Sequence, residues 1–164
     1  MNKTWTDARK RSFVVSALRS ARWPAKFECI RKSYVADGIN PKTGRRCKFH
    51  RCSNCRKDVP KGQIQADHIN PVVGPEGFKT WDLYIERMFC EADGFQALCK
   101  ECHSDKTLTE RFKIEPSKLK ALKLLIAFRK MNAAEQIKKL RQHKIAPPGN
   151  GKDRVQVYKN HLGL

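Results

Sequence analysis

Apolar positions recur at helical spacing in some stretches of this chain and follow strand-like runs in others. Across residues 5–22, Phe13, Val14, Ala17, Leu18 and Ala21 fall on one side of a helix, with Arg11, Arg19 and Arg22 elsewhere on the cylinder. Thr6 suits the N-cap of that helix and Asp7 its first turn. Pro24 breaks it, and a second helix is expected to follow with Phe27, Ile30 and Tyr34 as its inner stripe. The stretch "DGINPKTG" (37–44) is turn chemistry, and "RRCKFHRC" reads as a short strand. A further strand-like run ends in "ADH", where Asn70-Pro71 makes a stop plausible. Beyond the irregular "NPVVGPEG", Trp81, Tyr84, Ile85, Met88 and Phe89 show the spacing of a core-facing helix. "EADGFQALCKECHSDKTLTE" opens another helix. Pro116 suits the first turn of one running to about Met131, and Asn132 with Glu135 forms a capping signal for a last helix ending near Lys144. "APPGNG" is a linker or stop, and the final dozen residues carry no clear pattern. The class expected is α+β.

Charge changes the picture. The 164 residues include 35 Lys and Arg against 16 Asp and Glu, a formal net charge of +19. The excess is strongest at 9–22, 43–61 and 117–144. Such a balance suits nucleic acid or an anionic membrane surface. Without a lipidation motif, an apolar surface helix or a run of about 18 uncharged apolar residues, DNA is the favoured partner and a membrane is not expected. No secretory h-region opens the chain. The reducing cytoplasm is the expected compartment.

Seven cysteines are present, four of them in two pairs. "CSNC" supplies Cys52 and Cys55, and "CKEC" supplies Cys99 and Cys102. In an unsecreted protein, two CxxC knuckles complete a tetrahedral zinc site, with no open position for substrate. The pairs stand much farther apart than the roughly 15–20 residues of compact zinc ribbons, so the ion would staple distant segments together. Cys47 and His50 are close enough in sequence to compete as ligands. Cys29 and Cys90 suit the buried, small apolar role. With both knuckles on one zinc, Asp67 and His103 are drawn towards each other.

The arrangement "CSNC…ADHINPV…FQALCKECHSDKT" resembles the HNH nuclease family, over roughly residues 50–108, about a third of the chain. The flanks "RSFVVSALRSARW" and "GFKTWDLYIERMF" are similar to those of small bacteriophage HNH endonucleases, which would place the protein in a bacterial host cytoplasm. The resemblance implies a ββα-metal core stapled by a structural four-cysteine zinc and flanked by basic helices. It divides the chain into a helical region at 1–45, a nuclease core at 46–112 and a helical region at 113–164.

Residue by residue, the resemblance makes His68 the general base, for which imidazole is suited by a pKa near 6.5. Asp67 and His103 would hold one catalytic divalent ion, Mg2+ or Mn2+ by preference, although zinc or nickel also suits such donors. Lys106 would touch a phosphate; a solvated helix lysine is the plainer reading. The activity implied is cleavage of double-stranded DNA, by nicking or double-strand break, as a monomer or a dimer. A zinc-stapled DNA-binding module without catalysis and a junction-resolving nuclease are the alternatives. One departure stands out: the family's middle asparagine falls here on Gly94, with Asp93 or Asn70 as the available substitutes. For Asp67 and His68 to serve one site, the strand must end or bulge at that point, because neighbouring side chains on a regular strand face opposite ways.

Overall fold

Two antiparallel strands, β4 (Ile64–His68) and β5 (Phe95–Cys99), lie at the centre of the first half of the chain. Their pairing is regular from Ile64↔Cys99 to His68↔Phe95. The inward positions of β5 are almost wholly apolar (Phe95, Ala97, Leu98, Cys99), as befits a strand covered on both faces. In the computed structural model, residues 4–74 and 76–164 are described. The fold is mixed α+β, and residues up to 106 and residues from 107 form two compact units.

In the first unit, α1 (Asp7–Ser20) and α2 (Pro24–Lys32) precede a three-stranded antiparallel sheet in the order β1 (Tyr34–Ile39), β2 (Arg46–Arg51), β3 (Asp58–Pro60). Then come β4, α3 (Trp81–Met88), β5 and α4 (Lys100–Phe112), with α4 starting at the residue after β5 ends. The core gathers Ala25, Cys29, Cys52, Ile64 and the inward side of β5.

Three expected helix faces differ from the structure. Helix α1 is capped by Thr6, whose hydroxyl accepts from the Arg9 N–H, but it buries no residue. Phe13 is 65% exposed and meets Trp5 edge to face at 6.2 Å, a contact along the helix instead of into a core. Helix α2 turns Ala25 and Cys29 inward, one turn apart, and leaves Phe27 exposed. Small residues at the contact let a helix backbone lie close to the strands, and Trp23 fixes its start by meeting Phe89 edge to face and donating its indole N–H to the Cys90 carbonyl at 2.7 Å. Tyr34 lies outside α2, as the first residue of β1. Helix α3, capped by Thr80, buries Tyr84 and Met88, whereas Trp81 and Ile85 stay exposed.

The second unit is built from α5 (Leu119–Lys130), α6 (Ala133–Gln142) and α7 (Gly151–His161). Leu125, Phe128, Leu140 and Tyr158 form its core, with the Phe128 and Tyr158 rings stacked at 4.2 Å. The Asn132–Glu135 capping box forms as its sequence requires. Helix α7 has no counterpart in the hydrophobic pattern, because one of its two buried residues is charged. Arg154 donates to Gln136 Oε1 at 3.0 Å and to the Pro148 and Gly149 carbonyls, so a guanidinium ties α7 to α6 and to the preceding loop. Hydrogen bonds from a charged donor contribute more than neutral ones, and their loss strands buried acceptors. Arg154→Met is therefore expected to lower stability by about 2 kcal/mol in urea unfolding followed by far-ultraviolet circular dichroism; an unchanged midpoint would contradict this role.

Candidate active site and metal centre

Cys52 and Cys55 occupy the turn between β2 and β3. Arg56 adopts a left-handed conformation (φ 61°) and donates its N–H to the Cys52 carbonyl, closing the turn tightly. The Ser53 N–H donates to the Ala97 carbonyl at 2.8 Å and docks this turn on β5. Cys99 ends β5 and Cys102 lies in the first turn of α4. The four sulfur atoms all lie within 4.8 Å of one another, with Cys55 Sγ and Cys99 Sγ 3.9 Å apart. Zn–S bonds of about 2.3 Å in a tetrahedron put sulfurs roughly 3.8 Å apart, so the donor set fits a structural ion such as zinc with small adjustments.

The thiols are electrostatically unequal. Burial pushes Cys102 up to about 12 and raises Cys99. Burial also acts upward on Cys52, but hydrogen bonds from the backbone N–H groups of Cys99, Cys55 and Asn54 outweigh it and bring Cys52 down to about 6. A dication deprotonates all four and removes the mismatch. Cys47 and His50 stay outside the cluster; His50 instead places Nδ1 2.9 Å from the Ile30 carbonyl. Cys29 is buried, as expected of a small apolar residue, and Cys90 is half-buried.

Next to this cluster, Asp67, His103 and Lys106 meet. Asp67 Oδ1 lies 3.5 Å from His103 Nε2, and its Oδ2 is 2.7 Å from Lys106 Nζ and 3.2 Å from Gln96 Nε2. Two donors each about 2.1 Å from an octahedral ion and at right angles to it are about 3 Å apart, so the Asp67–His103 pair fits a small divalent cation. Lys106 is not a solvated lysine. Its side chain is only 22% exposed, and its ammonium also donates to the His68 carbonyl at 2.6 Å, which clamps the end of β4 to α4.

His68 faces the other way. The strand ladder shows no bulge; it simply ends at His68. The imidazole packs on Phe95 with ring centres 4.5 Å apart, and Nε2 lies 3.1 Å from the Met88 carbonyl. A carbonyl only accepts, so Nε2 carries the proton and Nδ1 presents a lone pair. Burial lowers the His68 pKa; the Met88 carbonyl opposes this and the Lys26 charge adds to it. Asp67 and Lys106 are close enough to act on the same ring electrostatically, the carboxylate raising its pKa and the ammonium lowering it.

Comparison with protein-family models, curated proteins and solved structures finds no match. The geometry carries the reading alone.

Gly94 has a steric explanation. A Cβ there would stand 2.6 Å from Cys90 Sγ and 2.9 Å from Cys90 Cβ, so no asparagine fits. The loop is braced through its backbone instead: the Ile69 N–H donates to the Gly94 carbonyl at 2.9 Å, the Cys90 carbonyl accepts from Trp23, and the Met88 carbonyl accepts from His68. Neither Asn70 nor Asp93 makes a side-chain hydrogen bond among the described residues. The residues that sequence reasoning missed (Trp23, Lys26, Gln96 and the carbonyl of Met88) act through backbone or long-range contacts that leave no motif. Gly94→Ala is expected to destabilise the protein by about 1–3 kcal/mol, the usual cost of overpacking, with part of the loss recovered when Cys90→Gly is added. Equal denaturation midpoints for Gly94→Ala and the parent would contradict the steric account.

Proposed function

We propose that this chain is a metal-dependent DNA endonuclease of the HNH type. The observation that carries the reading is the meeting of the Asp67 carboxylate and the His103 imidazole at 3.5 Å, beside a histidine whose tautomer is fixed with Nδ1 free. The succession of β4, β5 and α4 behind a four-cysteine cluster supports a ββα-metal core, and the net charge of +19 supports a polyanionic substrate.

In this reading His68 Nδ1 takes a proton from water, and the water oxygen bonds to phosphorus on the side away from the 3′ oxygen. The bond from phosphorus to that oxygen breaks, leaving a 5′-phosphate and a 3′-hydroxyl that is protonated by solvent. Asp67 and His103 would hold Mg2+ or Mn2+, which supplies charge neutralisation at the phosphate and the departing oxygen. Lys106 keeps the second oxygen of Asp67 and the His68 carbonyl in place, so the carboxylate is oriented before any ligand arrives. The lowered pKa of His68 keeps the base neutral at ordinary pH.

A specific observation favours a second reading. Asp67 is already neutralised by Lys106 at 2.7 Å, which suits a DNA-binding module whose acidic residue is structural. Plasmid incubation with Mg2+ or Mn2+ separates the two. The nuclease reading expects nicked or linear product, a loss of about 10²–10⁴-fold in rate for His68→Ala, comparable losses for Asp67→Ala and His103→Ala, and retained DNA binding in all three. Cleavage at the parental rate by His68→Ala, or none with either ion by a folded parent protein, would overturn it.

A further inference from the structure

Helix α2 carries apolar residues at core spacing that the core does not use. Phe27 is 53% exposed and Ile30 half-buried, and with Tyr34 and Ile64 they line an open pocket of about 480 Å³. That volume is within the roughly 300–1,000 Å³ of small-molecule sites. Its remaining walls are cationic: Arg31, Lys48 and Lys61 surround the apolar surface, and no acidic residue lines it. Lys48 and Arg22 also lie near the Tyr34 and Phe27 rings, at 5.7 and 5.5 Å from their centres.

His50 forms part of the wall: it is 3% exposed, its Nδ1 lies 2.9 Å from the Ile30 carbonyl and 3.1 Å from the Ser33 hydroxyl, and its Nε2 is closed off from solvent.

An aromatic wall and a cationic rim specify a flat, apolar-faced group that is flanked by negative charge. We propose that this pocket receives an unpaired nucleobase of the DNA substrate, packed against Phe27 and Tyr34, with neighbouring phosphates on Arg31, Lys48 and Lys61. The inference rests on DNA being the substrate, as proposed above, and deepens that reading: the favoured DNA has a base free of its partner. Strand β4 links the two places. Ile64 at the pocket and His68, the proposed base, are four residues apart on it and face the same side, about 13 Å apart along the strand.

The test is fluorescence anisotropy with the full, zinc-loaded chain and no added divalent ion. Three labelled duplexes of equal length are compared: fully paired, with one unpaired adenine, and with an abasic residue in the unpaired position. The unpaired adenine is expected to bind roughly tenfold more tightly than either other duplex, in keeping with the effect of stacking platforms on single bases. Phe27→Ala should bring it to the level of the paired duplex while leaving that duplex's affinity unchanged, and Phe27→Trp should retain the preference. Phe27 is exposed, so circular dichroism of the alanine variant should match the parent. Equal affinity for all three duplexes, equal affinity for the adenine and abasic forms, or displacement of the DNA by equimolar deoxyadenosine monophosphate would overturn the proposal. The preference without plasmid cleavage retains the pocket and overturns the nuclease. Cleavage without the preference does the reverse, and no binding to any DNA removes both.

Discussion

Four sulfur atoms from the β2–β3 turn and the β5–α4 junction converge in the first unit, beside the Ser53 N–H that docks the turn on the Ala97 carbonyl. Neutral thiols attract one another weakly and four thiolates repel, so the arrangement is stable around a cation. The need for such a staple follows from the strands it joins. A two-stranded antiparallel pair is marginal in isolation, and β4 and β5 are separated in sequence by a long loop that includes α3. Bringing the ends of that loop together costs entropy that five residue pairs of ladder do little to offset. An ion on Cys52, Cys55, Cys99 and Cys102 would fix the end of β5 and the start of α4 as one rigid corner. His103 follows Cys102 directly and Lys106 lies one turn beyond, so their positions opposite Asp67 are consequences of that corner.

Electrostatics then divides the labour between the two faces of β4. On one face Asp67 is held by Lys106, Gln96 and His103, an oriented carboxylate with one oxygen towards the imidazole. On the other, His68 is pressed against Phe95 and tied to the Met88 carbonyl, which sets its tautomer. The ladder stops at His68, and the next residue, Ile69, turns to donate its N–H to the Gly94 carbonyl. Gly94 belongs to the same construction. Its missing side chain lets Cys90 pack against the backbone, and the carbonyls on that stretch replace the bracing that an asparagine side chain would provide.

Much of this was legible in the chain, and the reason is local chemistry. CxxC pairs announce themselves, the Asp67-His68 strand end is marked by Asn70-Pro71, and the Asn132–Glu135 box forms where its spacing says. What the pattern missed depends on which face of an element meets a neighbour. Phe13 and Phe27 have the spacing of core residues yet are exposed, because α1 buries nothing and α2 needs its small face inward. Helix α7 escaped notice because Arg154 serves as a core residue through hydrogen bonds, which hydrophobic periodicity does not register. The pairing of Lys106 with Asp67 likewise depends on long-range geometry, which a single lysine on a helix does not reveal in sequence.

The account stands or falls on the ion that gathers the four cysteines. Zinc K-edge X-ray absorption on the purified full chain, with metal content measured on the same sample, addresses it most directly. About one zinc per chain with a shell of four sulfurs near 2.3 Å is the predicted result. A shell containing nitrogen or oxygen in place of a cysteine sulfur, or a folded chain that carries no metal, would contradict it.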